Sequence, residues 1–363
     1  MKFIAVNILI ACSFLISSAQ QLILETNLDA TVNETSGLLF INNTLITHND
    51  SGTTNQLFDV SITTGNVTRT VTITNATNID WEDLTQDGTY IYIGDFGNFE
   101  GDRTDLKIYR ILISDYFNST SITAEVINYT YNDQTDFSTN PFVTNFDAEA
   151  LLYFNNQLYI FSKNWIDGRT NIYELSKEPG TQTATLIDNF DSQGLITSGS
   201  YNTIANEILL CGYDLNGAFI VQLDTFSSGL FSNGTITKTA VTVPANSSSQ
   251  IEAVIPINAT EYYISGEENG SDTQALYSFN VSTLNIQQED EASFSFYPNP
   301  ANNTIILSHT NCKTEFYTIT GQLVKTSTDK HIDISDLNSG IHLIKIQGKS
   351  TSEFITKRLI INH

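Results

Sequence analysis

Short apolar runs recur along most of this chain, rich in Ile, Leu, Val, Tyr and Phe and bounded by Gly, Asn and Asp. Runs of that length and composition read as β-strands between turns, and no stretch holds a helical period for long. The clearest unit is Asp80 to Ile111, DWEDLTQDGTYIYIGDFGNFEGDRTDLKIYRI. It has an acidic start, an apolar-aromatic run, a Gly/Asp/Asn loop and a second aromatic run. Asp147 opens a second copy, and weaker copies bring the total between residues 21 and 288 to five. Aligned on the second strand, they superpose Leu45–Thr47, Ile91–Ile93, Leu158–Ile160, Ile208–Leu210 and Tyr262–Ile264. A third strand follows in each: Leu57–Val60, Ile108–Ile111, Ile172–Leu175, Ile220–Leu223 and Leu276–Phe279.

A repeat of this size with four short strands is a propeller blade. The body, residues 20–286, is therefore expected to be an all-β propeller of five blades. A sixth remains open if one hides in the spacers near 112–146 or 225–248. The leading strand, Gln21 to Leu28, is expected to pair with the last blade and close the ring, removing its exposed edges. A polar, acidic linker at 287–293 leads to a second unit at 294–363, whose strands and Gly-containing turns suit a small Ig-like antiparallel β-sandwich.

Charge sharpens the division. The formal net charge is −24, and residues 20–290 hold 34 acidic against 8 basic side chains, whereas 291–363 hold 6 against 7. An acidic body repels phosphate backbones, so nucleic acid is not an expected partner. Cys12, Cys211 and Cys312 show no metal-ligand spacing and give no disulfide framework. Sequons such as Asn33, Asn66 and Asn246 matter only in a host that glycosylates them.

Met1-Lys2, the apolar run Phe3 to Ile16 and then Ser17-Ser18-Ala19 have the three parts of a secretory signal peptide, with cleavage expected between Ala19 and Gln20. A rival reading takes Leu9-Ile10-Ala11-Cys12 as a lipoprotein box. No segment is long and apolar enough to be expected to span a membrane as a helix.

The second unit carries the most specific motifs. Phe296-Tyr297-Pro298-Asn299-Pro300 opens it, Thr320-Gly321-Gln322-Leu323-Val324 lies mid-way, and Ser339-Gly340-Ile341-His342-Leu343 precedes the closing Lys357-Arg358-Leu359-Ile360. In that order they resemble the C-terminal sorting domain of type IX secretion substrates, except that His342 stands where the family more often has Tyr. The resemblance implies Sec-dependent export to the periplasm and then passage through the type IX translocon. It also implies handling by its sorting peptidase and an end point in the medium or at the outer-membrane surface. The motif residues are Pro298, Asn299, Pro300, Gly321, Gly340 and Lys357.

Chemistry in the body rests on the acidic blade starts. Matching the repeats brings Asp80, Asp147 and Glu34 to one position and Glu82, Glu149 and Glu252 to another, and residues i and i+2 on a strand share a face. On innermost strands these carboxylates converge at one channel mouth, a hard-oxygen set suited to Ca²⁺. Polar residues facing a watery channel give the same pattern without an ion. The loop around Asp95 and Asn98, with Arg103, is a second candidate ligand site, or a turn closed by an ion pair. Trp81 and Trp165 read as core. No catalytic template fits: there is no nucleophile elbow, no phosphate-binding loop, and His48 is the only His in the body.

Asp80-Trp81-Glu82-Asp83-Leu84, Gly94-Asp95-Phe96-Gly97-Asn98 and Phe146-Asp147-Ala148-Glu149-Ala150 loosely resemble the phytase-like and SdiA-regulated group of secreted propellers. That likeness implies Ca²⁺-assisted hydrolysis of phosphate esters. Two functions thus stand side by side. One is an exported module binding an extracellular ligand; the other is a metal-dependent phosphoesterase or other ester hydrolase.

Overall fold

The apolar runs are continuous rather than alternating because both faces of each strand are buried. In Tyr90–Asp95, Ile91 and Ile93 pack toward one neighbouring blade with Leu45, Phe58 and Trp81. Tyr92, between them, packs toward the other with Leu151 and Ile160. Glu207–Asp214 divides in the same way, Ile208 and Leu210 to one side, Leu209 and Cys211 to the other. The core is thus a set of layers between blades, each filled from two strand faces.

The computed structural model describes residues 20–52, 54–227, 229–244, 250–270, 272–281, 296–308, 312–318, 321–348 and 354–362. The leader with Cys12 and Ala19, the sequon at Asn246, the linker 287–293 and Thr320 lie outside them. Two compact units divide near residue 284.

The first unit is a β-propeller. Its innermost strands are Thr35–Ile41, Trp81–Gln86, Ala148–Phe154, Leu195–Asn202 and Ala253–Pro256, heading what we number blades 1 to 5. Each heads an antiparallel sheet of second, third and fourth strands, and neighbouring innermost strands touch around the full circle. All five expected second and third strands are present. The spacers hold fourth strands, Glu125–Tyr131 for blade 2 and Thr235–Thr242 for blade 4, together with a short helix, Ile113–Asn118. No further blade occurs among the described residues.

Closure is as expected: Ile23–Asn27 pairs antiparallel with Ala275–Asn280 as the fourth strand of blade 5, placing Ile23 opposite Ser278. Gln20–Gln21 runs parallel to Thr235–Thr242 of blade 4, so one short N-terminal segment fastens two blades. Blades 2 and 3 are joined differently, their outer strands pairing in parallel from Ile127↔Gly180 to Tyr131↔Ala184.

Four innermost strands carry a register shift at matching places: Thr35/Leu38, Trp81/Leu84, Ala148/Ala150 and Ile196/Ser198. A bulge inserts a residue and re-aims side chains. In blade 2 the inserted pair is Glu82-Asp83. The Asp83 carboxylate accepts hydrogen bonds from Leu151 N at 2.9 Å, Gly199 N at 3.3 Å, Ser198 Oγ at 3.2 Å and Leu84 N at 2.8 Å. One side chain thereby ties blades 2, 3 and 4 together at the axis.

The second unit is a sandwich of a three-stranded and a four-stranded sheet around Ile305, Phe316, Ile332, Ile344 and Leu359. Asn299 fastens its start to its end, donating to Arg358 O and accepting from Ile360 N, both at 2.9 Å. Gly321 takes a φ of 84° in the turn that its amide closes on Thr318 O at 3.0 Å. Gly340 opens the long strand Gly340–Gly348, and Lys357 stands opposite Ile344 on the last strand.

The first prediction concerns Asp83. Asp83→Ala strands two buried backbone amides of other blades without acceptors, at about 1–3 kcal/mol each. Urea denaturation should show a loss of about 3 kcal/mol or more; a change under about 1 kcal/mol would show that the blades do not depend on this carboxylate.

Candidate functional site

The bulged strand starts and the far ends of the second strands meet at one end of the channel, around a cavity of about 320 Å³. The innermost strands and the turns before them bring Asp80, Glu82, Asp147, Glu149, Gln250 and Glu252 to its wall. The second strands bring Asp50, Lys163, Tyr213 and Glu267. Further along the innermost strands lies another cavity of about 170 Å³, whose lining includes Thr85, Tyr153, Ser200 and Asn258 and no charged side chain.

Five of the six acids picked from the repeats line the cavity; Glu34 does not. Its carbonyl instead accepts from Asp50 N at 2.9 Å. Asp50, Asp80 and Glu82 each offer an oxygen within 4.8 Å of the others. Asp50, Lys163, Tyr213 and Glu267 escaped the sequence reading, yet all lie five positions beyond the start of the aligned second-strand run. In blade 2 that place is Phe96, which turns into the core, and the next residue, Gly97, comes up beneath the acids. A Cβ on Gly97 would lie 2.2 Å from Glu82 Oε1 and 2.4 Å from Asp80 Oδ2.

Two halves of the wall differ electrostatically. Lys163 Nζ binds Glu149 Oε1 at 3.0 Å and lies 5.0 Å and 5.5 Å from the ring centres of Trp165 and Tyr213. Among the described residues it is the only cation on the wall, and its carboxylate neighbours hold it well above the ordinary lysine range against the opposing effect of burial. Asp147 accepts from Trp165 Nε1 at 2.7 Å and from Asn98 N. The other half is acid upon acid. Burial first, then Asp50 and Asp147 nearby, push Asp80 up to about 8. Glu82 is pushed well above the usual range by burial and then by Asp50 and Glu149. Burial likewise raises Glu267 to about 8, Glu252 to about 7 and Asp50 to about 6. Glu252, on the wall, has its Oε1 buried with no hydrogen-bond partner.

The Asp95–Asn98 loop is closed on itself. Arg103 reaches Asp95 Oδ1 at 3.0 Å, Asp105 Oδ1 at 3.1 Å and Gly97 O at 2.8 Å, while Asn98 Oδ1 accepts from Arg103 N at 3.0 Å. The guanidinium fork is thus engaged within the loop, and it braces the turn that carries Gly97. Trp81 is core, edge-on to buried His48 at 5.7 Å. Burial lowers His48 to about 4, so it is neutral and donates from Nδ1 to Asn49 O at 2.9 Å. Trp165, read from sequence as core, instead stands half-buried on the cavity wall.

Residues 295–362 match the family of secretion system C-terminal sorting domains. The second unit is such a domain. The protein is therefore sorted by the type IX secretion system to the cell surface or the medium. No helix among the described residues is long and apolar enough to cross a membrane. No curated protein matches the chain. Among solved structures it is similar to PorZ, a surface component of the type IX secretion system of Porphyromonas gingivalis. That similarity has 11% identity and a TM-score of 0.34 and covers 91% of this chain and 45% of that one. The extracellular domain of a hybrid two-component system from B. thetaiotaomicron gives 10% identity, TM-score 0.36 and coverage of 94% and 56%. An exo-β-1,3-galactanase from Phanerochaete chrysosporium gives 10% identity, TM-score 0.45 and coverage of 94% and 99%. The chain spans under half the length of PorZ, and at these scores none of the three bears on what the cavity binds.

Two predictions follow from the carboxyls. Their folded-state values lie above the ordinary ones, so between about pH 4 and about pH 8 the folded protein holds more protons than the unfolded chain. Stability then falls as pH rises through that window. The melting temperature in chelator should drop from about pH 5 to about pH 8; a flat or rising profile would refute the arrangement. Gly97→Ala should drive a methyl group into Asp80 and Glu82 and lower the melting temperature in chelator; an unchanged melting temperature would show that the two carboxylates are not held against this turn.

Proposed function

We propose that the exported propeller is a cation-dependent binding module whose ligand site is the acidic channel mouth. A divalent cation, Ca²⁺ by the hardness of the donors, would be held by Asp50, Asp80 and Glu82, with Glu252 and Glu267 at its edge. The observation that carries this reading is the convergence of those three carboxylates within 4.8 Å on the cavity wall. Like charges so placed must take up protons or a cation, and a hard divalent ion suits oxygen ligands alone. The ion would relieve the repulsion that, after burial, raises these carboxyls.

The phosphoesterase alternative has less to support it. Among the described residues the wall offers a phosphate one cation, Lys163, already bound to Glu149, and no His. A phosphomonoester assay with and without chelator tests it directly, and chelator-sensitive turnover would replace the binding reading.

Calcium should raise the melting temperature of the wild-type protein, by mass action on the folded state. Glu82→Gln should abolish that rise. Glu149→Gln should act differently, leaving Lys163 without its pair and lowering stability in chelator and calcium alike. If calcium changes nothing in the wild type, the cation reading fails.

We further infer that the sorting domain acts on a periplasmic intermediate. Removing residues 294–363 should leave the propeller in the periplasm. Fractionation that finds the shortened protein at the surface would overturn this.

A further inference from the structure

The acidic mouth also has an aromatic side. The connection 132–147, between blades 2 and 3, contains no strand or helix and folds against the cavity. Long irregular connections in a compact domain are where binding surfaces concentrate. Within it Phe142 takes a φ of 62°, a left-handed backbone that bulky side chains rarely adopt. Two backbone hydrogen bonds hold it there, Phe142 N to Phe99 O and Asn140 N to Glu100 O, each 2.9 Å. The result is a ring 57% exposed, 5.5 Å from Phe99 and 4.9 Å from Trp165 by ring centres. Trp165 is fixed from behind by its bond to Asp147. Phe99, itself 40% exposed, completes a shelf along one edge of the cavity.

Across from this shelf the wall has acceptors in excess. Glu252 lines the cavity at only 6% exposure, and its Oε1 is buried without a hydrogen-bond partner. A buried acceptor in that state calls for a donor. A ligand must therefore bring several hydrogen-bond donors and a flat apolar face, and must not be an anion. An organic ammonium meets part of that description, but the niche between carboxylate and aromatic rings is already filled from within by Lys163.

A sugar ring meets all of it, with hydroxyls around its rim and C–H bonds on its faces. We propose that the mouth binds a neutral saccharide, one face packed on Phe142 and Phe99 and its hydroxyls donating to Glu252 and the neighbouring carboxylates. This rests on the reading of the mouth as the ligand site and gives that ligand its class. The bound cation would offer the same hydroxyls a coordination partner.

The test uses the full exported protein in calcium, titrated with methyl glycosides of neutral pyranoses and neutral β-glucan and xylan oligosaccharides. Tryptophan fluorescence and calorimetry give the affinity, choline and inorganic phosphate serve as comparison probes, and melting in calcium is recorded on the same samples. At least one neutral saccharide should bind, and Phe142→Ala should weaken it about tenfold, the scale of one lost aromatic contact. The calcium-induced rise in melting temperature should be unchanged in that variant. No binding across the panel overturns the proposal, as does binding indifferent to both Phe142→Ala and Phe99→Ala, or tighter binding of choline. A calcium response without saccharide binding sinks this proposal and leaves the cation reading standing. Phe142-sensitive saccharide binding without any calcium response supports the proposal and sinks the cation reading.

Discussion

A ring of blades has to be held at its centre, where the innermost strands come closest. Here a single carboxylate does much of that. Asp83 is 1% exposed and accepts from backbone or hydroxyl groups of three blades. Burial pushes its carboxyl up to about 8, while the donated hydrogen bonds pull toward the charged form. The bulge that aims Asp83 inward leaves its neighbour Glu82 facing the mouth. The device that fastens the ring and the device that builds the acidic cavity are therefore one irregularity in one strand. Thr197, at the matching bulge of blade 4, reaches across to Ile251 O of blade 5 at 2.6 Å in the same manner.

The cavity is consequently a by-product of closure as much as a site placed on top of it. Five chain segments reach the axis at the same height, and their side chains share one small volume. Among the described residues that volume has seven carboxylates on its wall and one amine. Lys163 settles the blade 3 side, held by Glu149 and two aromatic rings. On the blade 1 and 2 side Asp50, Asp80 and Glu82 crowd one another, each bringing an oxygen within 4.8 Å of the others. Specificity, on this view, comes from which half of the mouth the fold has neutralised for itself.

Much of the architecture was legible in the sequence because it is local. Second and third strands announce themselves as short β-branched and aromatic runs, and their spacing gives the repeat. Asp80, Glu82, Asp147, Glu149 and Glu252 were legible because they open the repeats before those strands. What stayed hidden depends on geometry across blades. Asp50, Lys163, Tyr213 and Glu267 share a repeat position but are two acids, an amine and a phenol, so only side-by-side comparison of all five copies singles them out. The bulges have no signature beyond a one-residue slip. Trp165 looked like core because tryptophan usually is, and only the 132–147 connection makes it a wall residue. Arg103 showed the reverse, a conspicuous cation near a glycine-rich loop whose donors are spent inside that loop.

The N-terminal strand has a consequence for how this protein comes into being. Ile23 pairs with Ser278, so the last sheet is completed by residues from opposite ends of the body. Contacts of that sequence separation form late, since the intervening chain must first be brought together. Until its final blade has emerged, the nascent body is an open arc with two unpaired sheet edges, a form both threadable and vulnerable to mispairing with its neighbours. The order in which the two ends become available thus sets the interval during which such a chain needs protection.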